Sequence, residues 1–537
     1  MPLQAANYCT NRPFCVHLLA KDLHKRENCV TFAAGFNQFK LKMKKTILSL
    51  MAFVAASSTF AGGLLTNTNQ NAAFVRNFAQ EGQITLTSIY ANPAGGAFLS
   101  PGWHLSLNTQ TAFQERNIDT YYPLFAKNAN NPNDTHRFEG KATAPLVPSF
   151  TVSYNRDKWS LSAHFAVTGG GGKCEFDEGL GSFEASYADR LNKLVPAAVD
   201  AKLPEMVAAK LMANGLPGTT ASAIANTGIY NSQLTGYGLD GYMHGRSYYF
   251  GLQLGGTYKI RENLAVYVGL RGVYATCNYN GYVQDIKADY NYQYSVPIPG
   301  STAPLEGNGT GTEKLSDYSL TLNSDQTGFG VCPIIGIDWE INKHWNVAAK
   351  YEFRTRMNLK NKSEMNDYAK VLASDPDNPL SQFKDGEKVR EDVPALLALG
   401  VQYSPIEKVR LNAAYHQFFD KDSKKFKDKQ KYIKHNTHEF LLGAEYDISK
   451  LFTISGSWEI TRYGLSDEFM NDLSFNLSNY MFGGGVRIHP SKYFNVDLGY
   501  MCTFYNSRNV ADPKMPGKID HYDRKNHTFA IGFNFYL

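Results

Sequence analysis

Long apolar runs are what this chain most lacks. After Phe60 no stretch approaches the ~20 apolar residues of a membrane-spanning helix, which excludes a helical membrane protein. Charge is also sparse. Charged residues make up 19 % of the chain, below the ~25 % of soluble domains. The 54 basic and 49 acidic residues leave a net charge of +5 over 537 residues, too small a surplus to point to nucleic acid. Cysteines are few. Cys174, Cys277, Cys332 and Cys502 are scattered at spacings that match no metal-ligand or redox motif, so neither a metal site nor a cofactor is expected. A disulfide among them stays open if the compartment is oxidising. Tryptophan occurs only 5 times, yet Tyr and Phe occur 33 times each and Gly 45 times. A Gly- and aromatic-rich chain of modest hydropathy fits a transmembrane β-barrel, whose strands are only half apolar.

The one long apolar run is Ile47 to Phe60. Lys40, Lys42, Lys44 and Lys45 precede it, and Thr59-Phe60-Ala61 follow with small residues at the cleavage positions. That order is the order of a secretory signal. The expected organisation is an upstream extension over 1–42, a start at Met43, a signal peptide over 43–61 and a mature chain from Gly62.

Period-2 alternation dominates the remainder. In His344 to Lys360, Trp345, Val347, Ala349, Tyr351 and Phe353 share one face, and Asn346, Lys350, Glu352 and Arg354 share the other. At the C-terminus Phe529, Ile531, Phe533, Phe535 and Leu537 alternate with Thr528, Ala530, Gly532, Asn534 and Tyr536. Such segments outrun the ~5–6 residues of a globular strand and reach the ~9–11 residues of a tilted membrane strand. Fourteen strands are expected: 102–116, 148–156, 159–168, 245–260, 264–282, 326–341, 345–360, 389–403, 409–419, 435–447, 452–461, 478–488, 494–504 and 525–537. Their connections alternate long and short, with tight turns such as Asn155 to Lys158, Asp447 to Lys450 and His489 to Tyr493. That is the rhythm of long outer loops and short periplasmic turns, with both termini on the periplasmic side.

Residues 62–101 are rich in Asn, Gly, Ala and Thr and do not alternate well enough to be wall. In Ser88 to Gly102, Asn92 can cap a short helix, Pro93 suits its first turn, and Gly95-Gly96 would end it. A small-residue segment entering a wide barrel is well placed to be a plug. Asn92-Pro93-Ala94 ahead of the first strand, a hatch of this length and fourteen strands resemble the FadL/TodX family of outer-membrane transporters. "PLVPSF" (Pro145 to Phe150) and the stretch from Gly169 to Glu184 add to the resemblance. It extends from Gly62 to Leu537. It implies a 14-stranded antiparallel transmembrane β-barrel with an N-terminal hatch over 62–101, the barrel over 102–537, and a helical extracellular loop. The chain departs from the pattern at Leu537, where such barrels commonly end in Phe. Leu still offers an apolar terminal side chain to the barrel-assembly machinery.

The resemblance implies outer-membrane transport of long-chain fatty acids or other hydrophobic compounds, with no enzymatic activity. It implies an inward kink in the third strand that opens the wall sideways. Here the third strand meets Gly169, Gly170, Gly171 and Gly172, which weaken a strand and tolerate a bend. They are equally readable as the start of a flexible loop. It also implies capture of ligand by outer-loop helices. The helical pattern over 186–213 starts at a box formed by Ser186 and Asp189, restarts at Pro204 and closes at Asn214-Gly215. Leu191, Leu194, Val207 and Leu211 lie on its apolar sides and are the expected capture residues, although they suit mutual packing as well. Two other classes stay open. One is a porin or surface-binding barrel; the lysine-rich Asp420 to His435 suits lipopolysaccharide phosphates or plain solvation. The other is a membrane lipid hydrolase built on strand histidines His164, His416 or His438. Expected partners are a hydrophobic ligand, outer-membrane lipid and lipopolysaccharide, and no nucleic acid.

Overall fold

The computed structural model describes residues 63–376, 378–472 and 475–537. The expected start at Met43, the signal over 43–61 and the extension before it lie outside the described residues.

Fourteen strands form the wall: β1 (Gly102–Tyr121), β2 (Thr135–Asn155), β3 (Trp159–Phe176), β4 (Ile229–Arg261), β5 (Leu264–Val296), β6 (Leu320–Asn342), β7 (Trp345–Glu352), β8 (Leu396–Ile406), β9 (Val409–Phe418), β10 (Ile433–Asp447), β11 (Phe452–Leu465), β12 (Asn479–Ser491), β13 (Phe494–Tyr505) and β14 (Ile519–Tyr536). Each pairs antiparallel with the next, and β14 pairs back onto β1 from His104–Tyr536 to Tyr121–Ile519, so the sheet closes. Closure removes both edges, which a sheet in lipid requires because hydrocarbon offers backbone groups no partner. Leu254, Val268, Leu442 and Phe529 face outward and are exposed, while their neighbours Gln253, Arg271, Glu439 and Thr528 are buried inside. The expected sidedness therefore holds: oil outside, polar matter within. No described helix is long and apolar enough to cross a membrane; the crossing is made by strands.

All fourteen expected strands are present in the expected order, with three differences. First, β4 and β5 are each 33 residues long, about 110 Å at ~3.3 Å per residue. They rise past the membrane as a tall hairpin whose upper half lacks apolar alternation and so left no period to read. Second, the strand expected over 345–360 breaks after Glu352, and its neighbour over 389–403 breaks at Glu391 to Ala395. The break has a local cause. Pro333 of β6 has no N–H to donate, and the Phe353 carbonyl takes the Cys332 thiol instead, at 3.0 Å. Third, the outer helix is continuous. α2 runs from Gly181 to Ala213 straight through Pro196 and Pro204, although an interior proline costs about 3 kcal/mol. Packing of its buried side onto β4 and onto α3 (Gly218–Ala225) offsets that loss. Ser186 lies inside the helix rather than capping it. The Asp472 carboxylate accepts the Ser182 N–H at 2.6 Å and serves the helix start in its place.

Residues 63–101 pack against the inward faces of the wall. A five-residue helix, α1 (Ala72–Arg76), capped by Asn71, lies on β12, β13 and β14. The wall makes room for it with glycine. A Cβ on Gly483 would lie 2.5 Å from the Phe78 ring, on Gly499 3.1 Å from the Ala72 carbonyl, and on Gly400 2.3 Å from the Glu81 side chain.

Candidate functional site in the barrel wall

The ladder between β2 and β3 is interrupted at mid-height. These strands pair from Asn155–Ser160 up to Phe150–Phe165, and again at Lys141–Glu175 and Gly140–Phe176. In between, residues 142–149 of β2 and 166–174 of β3 make no ladder contact with each other, although each strand stays paired to its other neighbour. Sequence explains both rims. On β2, Pro145 and Pro148 cannot donate hydrogen bonds and so suit a strand edge, and Leu146 between them is exposed. On β3, Gly170 (φ +94) and Gly172 (φ +66) sit in the left-handed region, where a side chain would be strained. The strand bends inward there, and its register against β4 slips on both sides of Gly169.

The bend ends against the luminal segment. Gly169 pairs with Thr66 as an isolated bridge. The Asn67 N–H donates to the Thr168 carbonyl at 3.0 Å, and the Gly170 N–H to the Leu65 carbonyl at 3.2 Å. A Cβ on Gly169 would sit 2.3 Å from the Leu65 carbonyl oxygen. The backbone groups that β3 withdraws from β2 are thus met by the luminal segment.

The rest of that segment is fixed by buried charge. Arg76 reaches Glu445 at 2.7 Å and Asp497 at 3.1 Å. Glu81 meets His416 at 2.7 Å, and His416 meets Glu439 at 2.9 Å through its other ring nitrogen. Burial alone would raise the Glu81 carboxyl, but the charge and hydrogen bond of His416, with Lys350 further off, hold it below its ordinary value. Tyr90 lies under Arg271 and Lys350, each 4.7 Å from its ring. Asn92 caps the short turn Pro93–Phe98 by accepting the Gly95 N–H at 3.1 Å, and its amide donates to Asp338 on β6. Gly95 and Gly96 lie inside this turn rather than ending it. Pro93 and Ala94 are buried, with the Pro93 carbonyl accepting from Thr257 at 3.0 Å.

The expected capture residues are placed differently from one another. Val207 and Leu211 are closed into a cluster with Ile224 of α3 and with Tyr294 and Val296 of β5. They seat the helix on the tall hairpin and do not line an open groove. Leu191 is buried, and only Leu194 keeps partial exposure. Of the strand histidines, His416 binds the luminal segment, His164 contacts Thr151 at 2.9 Å and the Tyr90 ring, and His438 faces Tyr415 at 2.8 Å. The luminal anchors Arg76, Glu81 and Tyr90 were not singled out from sequence. Nothing local marks them, because their partners lie hundreds of residues away.

No protein-family model and no curated protein sequence matches the chain. Solved structures do. The crystal structure of a Pseudomonas aeruginosa FadL homologue aligns with 88 % of this chain and 99 % of its own, at 12 % identity and a TM-score of 0.54. The Pseudomonas putida toluene transporter TodX aligns with 90 % of this chain and 100 % of its own, at 12 % identity and a TM-score of 0.48. The Ralstonia pickettii toluene transporter TbuX covers 84 % and 94 %, at 11 % identity and a TM-score of 0.43. The fold is that of a FadL-type barrel. A closed ring with this sidedness is the architecture of an outer-membrane protein.

Proposed function

We propose that this FadL-type barrel carries hydrophobic small molecules, long-chain fatty acids or aromatic hydrocarbons, across the outer membrane and releases them sideways into the bilayer. One observation carries the reading: the missing ladder between residues 142–149 and 166–174, bounded by prolines on one side and left-handed glycines on the other. The downward route favours the same conclusion. Residues 63–101 act as a hatch, and beside an apolar cluster around Phe74 and Phe78 their contacts with the wall include buried ion pairs and hydrogen bonds. A greasy molecule crossing that interface would strand buried polar groups at ~1–3 kcal/mol apiece. A gap facing lipid imposes no such cost.

The test is uptake of a fluorescent long-chain fatty acid by cells carrying the barrel. Replacing Gly169 to Gly172 together with valine straightens β3 and is expected to slow uptake at least several-fold, with heat-modifiable migration showing an intact barrel. Undiminished uptake by a folded variant rejects the sideways route. Liposome swelling with small sugars by the unaltered protein would point instead to a water-filled pore.

A further inference from the structure

On the outward face of the wall, one cluster of positive charge sits at the head of β10 and β11. On β11 the lipid-facing column is Ile454, Trp458 and Ile460, and it ends in Arg462, which pairs across the ladder with His438 of β10. From Phe452 to Arg462 the strand spans the ~9–11 residues a tilted strand needs to cross the hydrocarbon. Arg462 therefore stands at the outer interface, where a lipid-facing cation is tolerated. Its guanidinium donates to the Tyr480 hydroxyl at 2.5 Å and to the Thr461 and Asn479 carbonyls at 3.2 and 3.5 Å, and it lies 4.6 Å from the Tyr480 ring. These neutral contacts fix the group without neutralising it.

The adjoining loop adds to the charge. Residues 419–436 hold seven lysines against three aspartates, a surplus of four. β9 and β10 stop close to the interface, so this loop stays near the membrane while the β4–β5 hairpin rises away. Lys421 and Lys434 are exposed and tied together, the Lys421 ammonium donating to the Lys434 carbonyl at 3.0 Å. Of the acids nearby, Asp420 is buried, and the exposed Asp422 and Glu468 are outnumbered by the lysines. Asp428 binds Lys424 at 3.8 Å and Lys431 at 3.2 Å, Asp467 binds Arg508, and the exposed Glu468 feels the Lys434 charge without pairing with it. Among the described residues no carboxylate lies within salt-bridge distance of Arg462, Lys421 or Lys434. Three strands away on β14 the outward Lys525 does face one, Glu115 at 3.7 Å.

We infer that Arg462, Lys434 and Lys421 form a binding site for the phosphorylated headgroup of an outer-leaflet glycolipid, lipopolysaccharide. The chemistry selects the occupant. The site lies at headgroup depth and gathers a planar guanidinium and two ammonium groups, which suit phosphate oxygens. It is continuous below with the apolar column of β11, which suits acyl chains. The inference goes beyond transport: it predicts a fixed lipid beside the barrel and an orientation for this side of the wall.

The experiment measures binding of deep-rough lipopolysaccharide to the full purified chain in detergent, by native mass spectrometry and by thermal shift. The unaltered protein is expected to bind at least tenfold more tightly than the variant R462Q/K434Q/K421Q. Removing the lipid's phosphates should lower binding to the variant's level, and Lys525→Gln should change nothing. Inorganic pyrophosphate alone should not stabilise the protein, which separates a lipid site from a free-phosphate site. Equal binding by the triple variant, or by dephosphorylated lipid, overturns the assignment. Should that variant fail to show heat-modifiable folding, ionic strength on the unaltered protein decides: screening should weaken binding markedly between low and high salt, and salt-insensitive binding overturns the proposal.

Discussion

Arg76 has no exposed side-chain surface and two carboxylate partners. Removing one member of such a buried network strands the others, at about 3–5 kcal/mol. Arg76→Ala is therefore expected to free the luminal segment at lower urea concentration than global unfolding, read as protease cleavage within residues 63–101 of a barrel that still migrates as folded. Glu81 sets an acid limit on the same docking. Its carboxyl is held below the ordinary value despite burial, by His416. A depressed folded value means its stabilisation is fully present above the unfolded value of about 4.3 and is lost as pH falls through the folded one. Docking should be flat through mild acid and weaken below about pH 4, and Glu81→Gln should remove that acid limb from the proteolysis profile. Unchanged acid sensitivity in the variant would assign the effect elsewhere. None of these residues was legible in the sequence. A buried ion pair between Arg76 and Asp497 has no local pattern, whereas Asn92 was legible because a cap is a local arrangement of side chain and backbone.

At the scale of elements, β3 shows how a local signal and a tertiary one combine. The run Gly169 to Gly172 reads from sequence as a bend or as a loop. The alternative is resolved by β2, where prolines leave the facing edge unpaired, and by Leu65, whose carbonyl meets the bend. Valine at Gly170 alone forces a left-handed side chain at about 1–2 kcal/mol, and its Cβ would meet the Ser247 carbonyl at 2.5 Å. Gly170→Val should lower the thermal midpoint of the barrel, while Gly456→Val, where nothing lies within 4 Å, should not. The outward-inward alternation of the wall was legible because its period is local and lipid demands it on every strand. The breaks beside Phe353 and Glu391 were not, because the missing donor of Pro333 matters only once register places it opposite Phe353. The uninterrupted α2 was misread for a related reason: tertiary packing overrode two prolines.

At the scale of the molecule, the alternation of long and short connections identified a closed barrel before any contact was known, since strand parity survives errors at strand ends. What occupies the lumen was legible as a small-residue segment too irregular to be wall and so placed to be a plug, but its anchoring contacts were not. Deleting residues 63–101 should convert a quiet barrel into a conducting one, measured as single-channel current in a planar bilayer; unaltered conductance would show that the segment is not the seal. The gap between β2 and β3 has a mechanical side as well. A cylinder knitted by hydrogen bonds resists tearing through the number of rungs loaded together, and this seam has rungs only near its two ends. Drawn out by a cantilever tip from the periplasmic end, the sheet should rip there at lower force than along the fully laddered β4–β5 seam. The seam proposed as the exit would then also be where the cylinder unravels first.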